Sequence, residues 1–324
     1  MSKVVVTNWV DEDALQPLHR LGAIVAANRG REPWPNSELC ARLADANVMV
    51  AFMPDRVDAD LLQAAPRLNL IACALKGHDN VDLAACRARN VAVTIVEDLL
   101  TAPGAELAIG SMIALGRHVL EADAFVRSGR HQGWRPQFYG IGLAGSTVGF
   151  LGFGAIGRAT AQRLHAFECA RLLAYDLQQQ PPEAGVSAAT DEQVLSESDF
   201  IILAMSLNDG SRQFVNRDRL SLVKPEALLI NPARGSLVDE AAVADAIEAG
   251  RLGGYAADVF AFEDWALLDR PRAIEQRLLA LRDRTLLTPH LGSAVNIVRR
   301  RIAEAAIGSV VAFLSGKPLQ GRIA

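Results

Sequence analysis

The sequence predicts an α/β protein of two domains, each a parallel sheet wrapped by helices. The chain has 324 residues, more than a single core usually serves. Short aliphatic runs alternate with helical stretches through roughly the first 95 residues, a pattern that builds parallel sheets. After a long helical stretch and an aromatic segment, the same alternation restarts at Thr147.

In order, strands are predicted at 4–7, 24–27, 48–52, 70–74 and 91–95, with helices at 38–44 and 59–65 among them. Residues 102–127 are rich in Ala, Leu, Ile and Met and predict one long, largely buried helix. The segment from His131 to Gly140 has no clear period and predicts an ordered loop carrying Trp134 and Tyr139. A strand at 147–151 and a helix at 156–167 follow, then strands at 172–175, 200–204, 227–231, 255–259 and 285–288. A final helix is predicted at 293–314, with Ser293 as its N-cap.

Composition narrows the function classes. Half the residues are hydrophobic and 22% are charged, so the chain can bury a core. The net charge of -4 argues against a nucleic-acid partner. Cys40, Cys73, Cys86 and Cys169 are scattered, and no Cys/His array or HExxH suggests a metal. The N-terminus reaches Asp11, Glu12 and Asp13 too soon for a secretory signal. No apolar run approaches ~18 residues, so no membrane partner is expected and the expected setting is cytoplasmic.

The first chemical signal is Gly152-Phe153-Gly154-Ala155-Ile156-Gly157, placed between a predicted strand and a predicted helix. In this context Gly152 permits a tight turn, Gly154 a close backbone approach to a pyrophosphate, and Gly157 close helix–strand packing. The N–H groups of the first helical turn, at Ala155 and Ile156, would face the phosphates. Asp176, at the end of the next strand, would accept hydrogen bonds from the ribose hydroxyls and repel a 2′-phosphate. Leu177 and Gln178 follow, with no arginine to receive such a phosphate. NAD is therefore the expected cofactor.

Three further segments lie at predicted strand ends: Asn231 to Ser236, Asp258 to Trp265, and Thr288 to Ser293. Ligands of open α/β sheets bind beyond the carboxyl ends of the strands. An arginine, a glutamate and a histidine suit hydride transfer: His290 takes a proton, Glu263 orients the imidazole, and Arg234 holds an anion.

Taken in order, the glycine loop, NPARGSLVDE, ADVF with the following Glu263, and LTPHLGS resemble the D-2-hydroxyacid dehydrogenase family over almost the whole chain. The resemblance implies a flavodoxin-like substrate domain of residues 1–98 plus 292–324. It implies a doubly wound, Rossmann-like NAD-binding domain at 99–291, with an active-site cleft between the two. Arg234 becomes the substrate arginine, and Glu263 and His290 the proton-handling pair. Ala233, Asp258 and His290 join the cofactor contacts, and a homodimer is expected. Asp264 stands where most members have proline.

The loop Cys73-Ala74-Leu75-Lys76-Gly77-His78 departs from the small or apolar residue usual in the family's substrate loop. Lys76 adds a second cation, which suits a tetrahedral dianion better than a monocarboxylate. Residues 51–60, the Trp134–Tyr139 segment, Glu263-Asp264-Trp265 and Gly292-Ser293-Ala294-Val295 with Arg299 resemble the phosphite-oxidising branch, the phosphonate dehydrogenases. That resemblance implies phosphite as the anion, with Met53, Lys76, Gly77, Arg234, Ser293 and Arg299 around it. It implies Trp134 and Tyr139 reaching in from a second subunit. A glyoxylate or hydroxypyruvate reductase is the alternative, and a non-catalytic NAD-sensing protein a third.

Overall fold

The computed structural model describes residues 1–176, 185–265 and 267–324. The expectation at Leu177 and Gln178 lies outside the described residues. The elements run β1 (Lys3–Val6), α1 (Glu12–Arg20), β2 (Ile24–Ala27), α2 (Asn36–Leu43), β3 (Val48–Ala51), α3 (Ala59–Ala64), β4 (Leu70–Cys73), α4 (Leu83–Ala88) and β5 (Ala92–Thr94). Next come α5 (Thr101–Gly116), α6 (Val119–Arg127), β6 (Thr147–Leu151), α7 (Ala155–Leu164), β7 (Arg171–Tyr175), β8 (Ser187–Ala188), α8 (Asp191–Glu197), β9 (Phe200–Leu203) and α9 (Arg217–Leu220). The chain ends with β10 (Leu228–Asn231), α10 (Glu240–Glu248), β11 (Gly254–Ala257), α11 (Gln276–Ala280), β12 (Thr285–Leu287) and α12 (Asn296–Leu314).

Two compact units result. The first comprises residues 1–100, 265–268 and 294–324, the second 101–264 and 269–293. In the first, five parallel strands lie in the order β2-β1-β3-β4-β5. Both faces of this sheet are covered, so its strands are apolar throughout rather than alternating. Val4 and Val6 pack with Leu15, Leu18, Ile302 and Val310, which brings α1 and α12 onto one face. Val5, Met49 and Ile71 pack with Leu39, Leu43 and Leu62 on the other.

The second unit holds seven parallel strands in the order β12-β11-β10-β9-β6-β7-β8. The chain starts at β6 in mid-sheet, moves outward to β7 and β8, then returns to build β9 to β12 on the other side. The carboxyl ends of β6, β10, β11 and β12 consequently share one edge. Phe150, Phe200 and Ile230 pack on one face, and Leu151, Ile201, Leu229 and Tyr255 on the other.

Two expectations are corrected. The predicted helix over 102–127 is two helices, broken by the left-handed backbone of His118 at φ 51°. There the Ile141 N–H donates to the Gly116 carbonyl at 2.9 Å, and Gly140 crosses that oxygen where no side chain fits. The final helix starts at Asn296 after Val295, so Ser293 is not its N-cap. Residues 290–292 are instead held by Asp258, which delays the helix start. Among the described residues, no helix is long and apolar enough to cross a membrane.

Candidate active site

The glycine loop between β6 and α7 has the geometry a dinucleotide requires. Gly152 has φ +89°, and a Cβ there would stand 2.6 Å from the Met205 nitrogen. Space beside Gly154 is open, leaving room for a ligand against the backbone, while a Cβ on Gly157 would stand 3.2 Å from the Gly152 oxygen. Ala155 and Ile156 begin α7, whose first-turn N–H groups and positive dipole end face this opening. Asp176 follows β7, and its Oδ2 accepts the Phe153 N–H at 3.1 Å. The acid thus pins the glycine loop, a role the sequence reading did not assign. These residues fit a pyrophosphate on the helix end and a ribose beside the acid.

Arg234, Glu263 and His290 follow β10, β11 and β12, three adjacent strands of the same sheet. Past β10, Asn231 accepts the Ala233 N–H at 3.1 Å and donates to the Arg234 carbonyl at 2.9 Å and the Tyr255 hydroxyl at 3.3 Å. This side chain sets the turn at Ala233 and presents Arg234, which is half-buried in extended backbone before the 3-10 turn Gly235–Leu237. The Arg234 Nη1 donates to the Ala233 carbonyl at 2.8 Å. Tyr255 is fully buried, and burial raises its phenol above its ordinary range.

Glu263 ends the 3-10 turn Ala261–Glu263. Its Oε1 accepts the Phe260 N–H at 3.1 Å and its Oε2 lies 2.9 Å from His290 Nδ1. With the carboxylate on Nδ1, that nitrogen carries the proton and Nε2 is the basic one. His290 has φ +58°, a backbone state that a residue with a side chain keeps only when its surroundings impose it.

Asp258 imposes it. Its carbonyl accepts the His290 N–H at 2.8 Å. Its carboxylate accepts the Thr288 hydroxyl at 2.6 Å, the Leu291 N–H at 2.6 Å and the Gly292 N–H at 2.8 Å. Asp258 thereby clasps the histidine loop from the end of β11.

In the first unit, Met53 follows β3 and Lys76 and Gly77 follow β4, at the carboxyl edge of that sheet. Met53 packs on the core around Met49 and Ile71, and Gly77 is half-buried. Lys76 Nζ lies 3.5 Å from the exposed carboxylate of Asp98, a pair worth little in water. Behind these loops, buried Asp55 accepts the Phe52 N–H at 2.7 Å and the Thr7 hydroxyl. Asn80 donates to the carbonyls of Phe52 at 3.2 Å and Asp55 at 2.6 Å, tying the two loops together. Burial pushes the Asp55 carboxyl up to about 6.

Trp134 and Tyr139 are 78% and 73% exposed on the second unit. Ser293 is half-buried just after Gly292. Arg299 lies on the accessible side of α12, yet enough protein surrounds it that desolvation lowers its pKa.

Comparison with known proteins decides the family. Residues 109–292 match the family model described as D-isomer specific 2-hydroxyacid dehydrogenase, NAD binding domain. The chain belongs to this family. Its second unit is accordingly an NAD-binding domain, and the chain is an NAD-dependent oxidoreductase of the 2-hydroxyacid dehydrogenase type. A glyoxylate reductase of Pyrococcus furiosus is 35% identical, over 97% of this chain and 93% of that protein. A solved structure from Thermus thermophilus has TM-score 0.90 and 33% identity, covering 99% of this chain and 100% of that one. A D-lactate dehydrogenase from Aquifex aeolicus, complexed with NAD and lactic acid, has TM-score 0.84 and 26% identity, covering 97% and 96%.

Proposed function

We propose that this dehydrogenase oxidises phosphite to phosphate. The observation that carries the reading is Lys76, a cation in the loop after β4. A tetrahedral dianion is matched by two cations, whereas a monocarboxylate needs one guanidinium and a few backbone donors. The stretches around Met53, Trp134, Glu263 and Ser293 support the same reading through their likeness to phosphonate dehydrogenases.

Bound NAD⁺ supplies the hydride acceptor. Arg234 and Lys76 hold the phosphite oxygens and stabilise the charge that grows on them. A water oxygen forms the new bond to phosphorus, and the P–H bond breaks with its electron pair leaving as hydride. The water proton goes to Nε2 of His290, whose Nδ1–H is held by Glu263. The products are phosphate, NADH and one proton. Met53, Gly77, Ser293 and Arg299 complete the anion's surroundings in this reading.

A second copy of the chain is the proposed partner. Helix α6 buries none of its residues, and Val119, Leu120 and Val126 are exposed along it, near exposed Trp134 and Tyr139 in sequence.

A second reading is reduction of a 2-oxo acid such as glyoxylate, favoured by the name of the Pyrococcus relative. NADH absorbance separates the two. The protein is mixed with NAD⁺ and phosphite, D-lactate or D-glycerate, and in the reverse direction with NADH and glyoxylate or hydroxypyruvate. Turnover of phosphite alone supports the proposal. Turnover of the organic acids alone overturns it and leaves Arg234, Glu263 and His290 with the same chemistry on a carboxylate substrate.

A further inference from the structure

The turn that carries Arg234 and the turn that carries Glu263 are locked together by an exchange of buried carboxylates. Asp264, 2% exposed, follows Glu263 and accepts the Ser236 N–H at 2.7 Å; Ser236 is two residues past Arg234. In return Glu240, 8% exposed at the start of α10, accepts the Ala261 N–H at 2.7 Å, two residues before Glu263. Its other oxygen accepts the Glu275 N–H at 3.4 Å. Between these bonds the two backbones touch, because a Cβ on Gly235 would overlap the Phe260 carbonyl carbon and the Ala261 nitrogen. Each carboxylate therefore crosses directly to a backbone donor on the opposite segment.

We propose that Asp264 is a positioning residue that sets the placement of the Arg234 guanidinium relative to the Glu263–His290 pair. Asp264 touches neither substrate nor cofactor in this account. It acts through the Ser236 N–H, which fixes the 3-10 turn beginning one residue after Arg234. A buried, charge-assisted bond to a backbone N–H is strong and directional, and its loss leaves that donor unsatisfied. The 235–237 turn would then relax and carry Arg234 with it. An ångström-scale displacement at a binding arginine weakens the anion's hold while the cofactor site on the glycine loop is untouched. Glu263 keeps its own bond to the Phe260 N–H, so the dyad stays formed when the arginine moves.

The inference rests on Arg234 as the substrate arginine, and the test separates the two claims. Asp264→Ala, Asp264→Asn, Ser236→Pro and Arg234→Lys are compared using whichever anion the wild-type enzyme turns over, with NADH binding followed by fluorescence. KM is independent of the fraction of protein that is folded. Asp264→Ala is expected to raise the anion KM roughly tenfold or more while NADH affinity stays within about twofold. Asp264→Asn keeps an oxygen for the Ser236 N–H and should recover most of that loss. Ser236→Pro deletes the donor instead and should reproduce the alanine effect, which keeps the test available if Asp264→Ala does not fold. Combining Asp264→Ala with Ser236→Pro should be no worse than either substitution alone.

An unchanged anion KM in Asp264→Ala overturns the proposal, as does an equal loss of anion and NADH binding. Asp264→Asn as poor as alanine overturns the acceptor argument. If Arg234→Lys leaves the anion KM unchanged, the assignment of Arg234 fails and the positioning role falls with it. If Arg234→Lys raises KM and Asp264→Ala does not, only the positioning role fails.

Discussion

Replacing Asp55 by asparagine should remove a pH dependence from the stability of the first unit. Asp55 is 7% exposed and accepts the Phe52 N–H at 2.7 Å and the Thr7 hydroxyl. Those bonds favour the charged form, but burial outweighs them and raises the carboxyl from 3.8 to about 6. Between these two values the folded chain binds more protons than the unfolded one, so stability falls as pH rises through the window. A rise from 3.8 to about 6, at ~1.36 kcal/mol per pH unit, corresponds to ~3 kcal/mol. That contribution is fully present below pH 3.8 and gone above about 6. Asparagine offers an oxygen to the same two donors and has no charge to bury. The stability of Asp55→Asn relative to wild type should therefore climb by up to ~3 kcal/mol between pH 4 and 7. Urea unfolding followed by circular dichroism at four pH values measures this, and taking the difference cancels every other titrating group. A flat difference would show that Asp55 titrates as it does in the unfolded chain. A difference that shrinks with pH would show that the fold stabilises the charge, refuting the argument from burial.

Other perturbations read different parts of the molecule. Glu263→Gln keeps the acceptor for Phe260 but turns an N–H₂ toward His290 Nδ1, selecting the wrong tautomer; kcat should fall by roughly 10²–10⁴ with little change in melting temperature. Gly235→Ala forces the Arg234 and Glu263 turns apart, and should cost on the order of 3 kcal/mol or prevent folding, as read by thermal unfolding. Leu120→Asp places a charge on the exposed face of α6 and should shift a dimer to monomer in sedimentation velocity at micromolar protein. A wild-type chain that already sediments as a monomer would remove the proposal of a second copy.

The sheet cores were legible because their strands are buried on both faces and read as unbroken aliphatic runs, such as Val4-Val5-Val6 and Phe200-Ile201-Ile202. The glycine loop was legible because each of its glycines answers a different steric demand. The break at His118 was not, since it comes from a remote segment, Gly140 and Ile141, crossing the helix end; no local propensity marks it. Ser293 misled for a related reason. It has the chemistry of an N-cap, but Asp258, 35 positions earlier, holds the loop just before it and postpones the helix. Asp258, Asp264 and Glu240 stood inside recognised motifs, yet their partners are backbone N–H groups 21 to 35 positions away, which no side-chain pattern announces.

These acids also bear on how an anion can bind here. Asp258, Glu263, Asp264 and Glu240 cluster in the loops around Arg234, and four bare carboxylates would repel phosphite or a carboxylate substrate. The structure answers by directing each of them at backbone donors. Asp258 takes two N–H groups and a hydroxyl, Glu240 takes two N–H groups, Asp264 takes the Ser236 N–H, and Glu263 takes the Phe260 N–H together with the imidazole. Burial pushes the Glu240 carboxyl above its ordinary range, against the pull of the two N–H groups it accepts. The same bonds that fix the turns therefore draw the acids' field inward. A substrate held by Arg234, as proposed, would then meet the guanidinium in surroundings otherwise unfavourable to an anion.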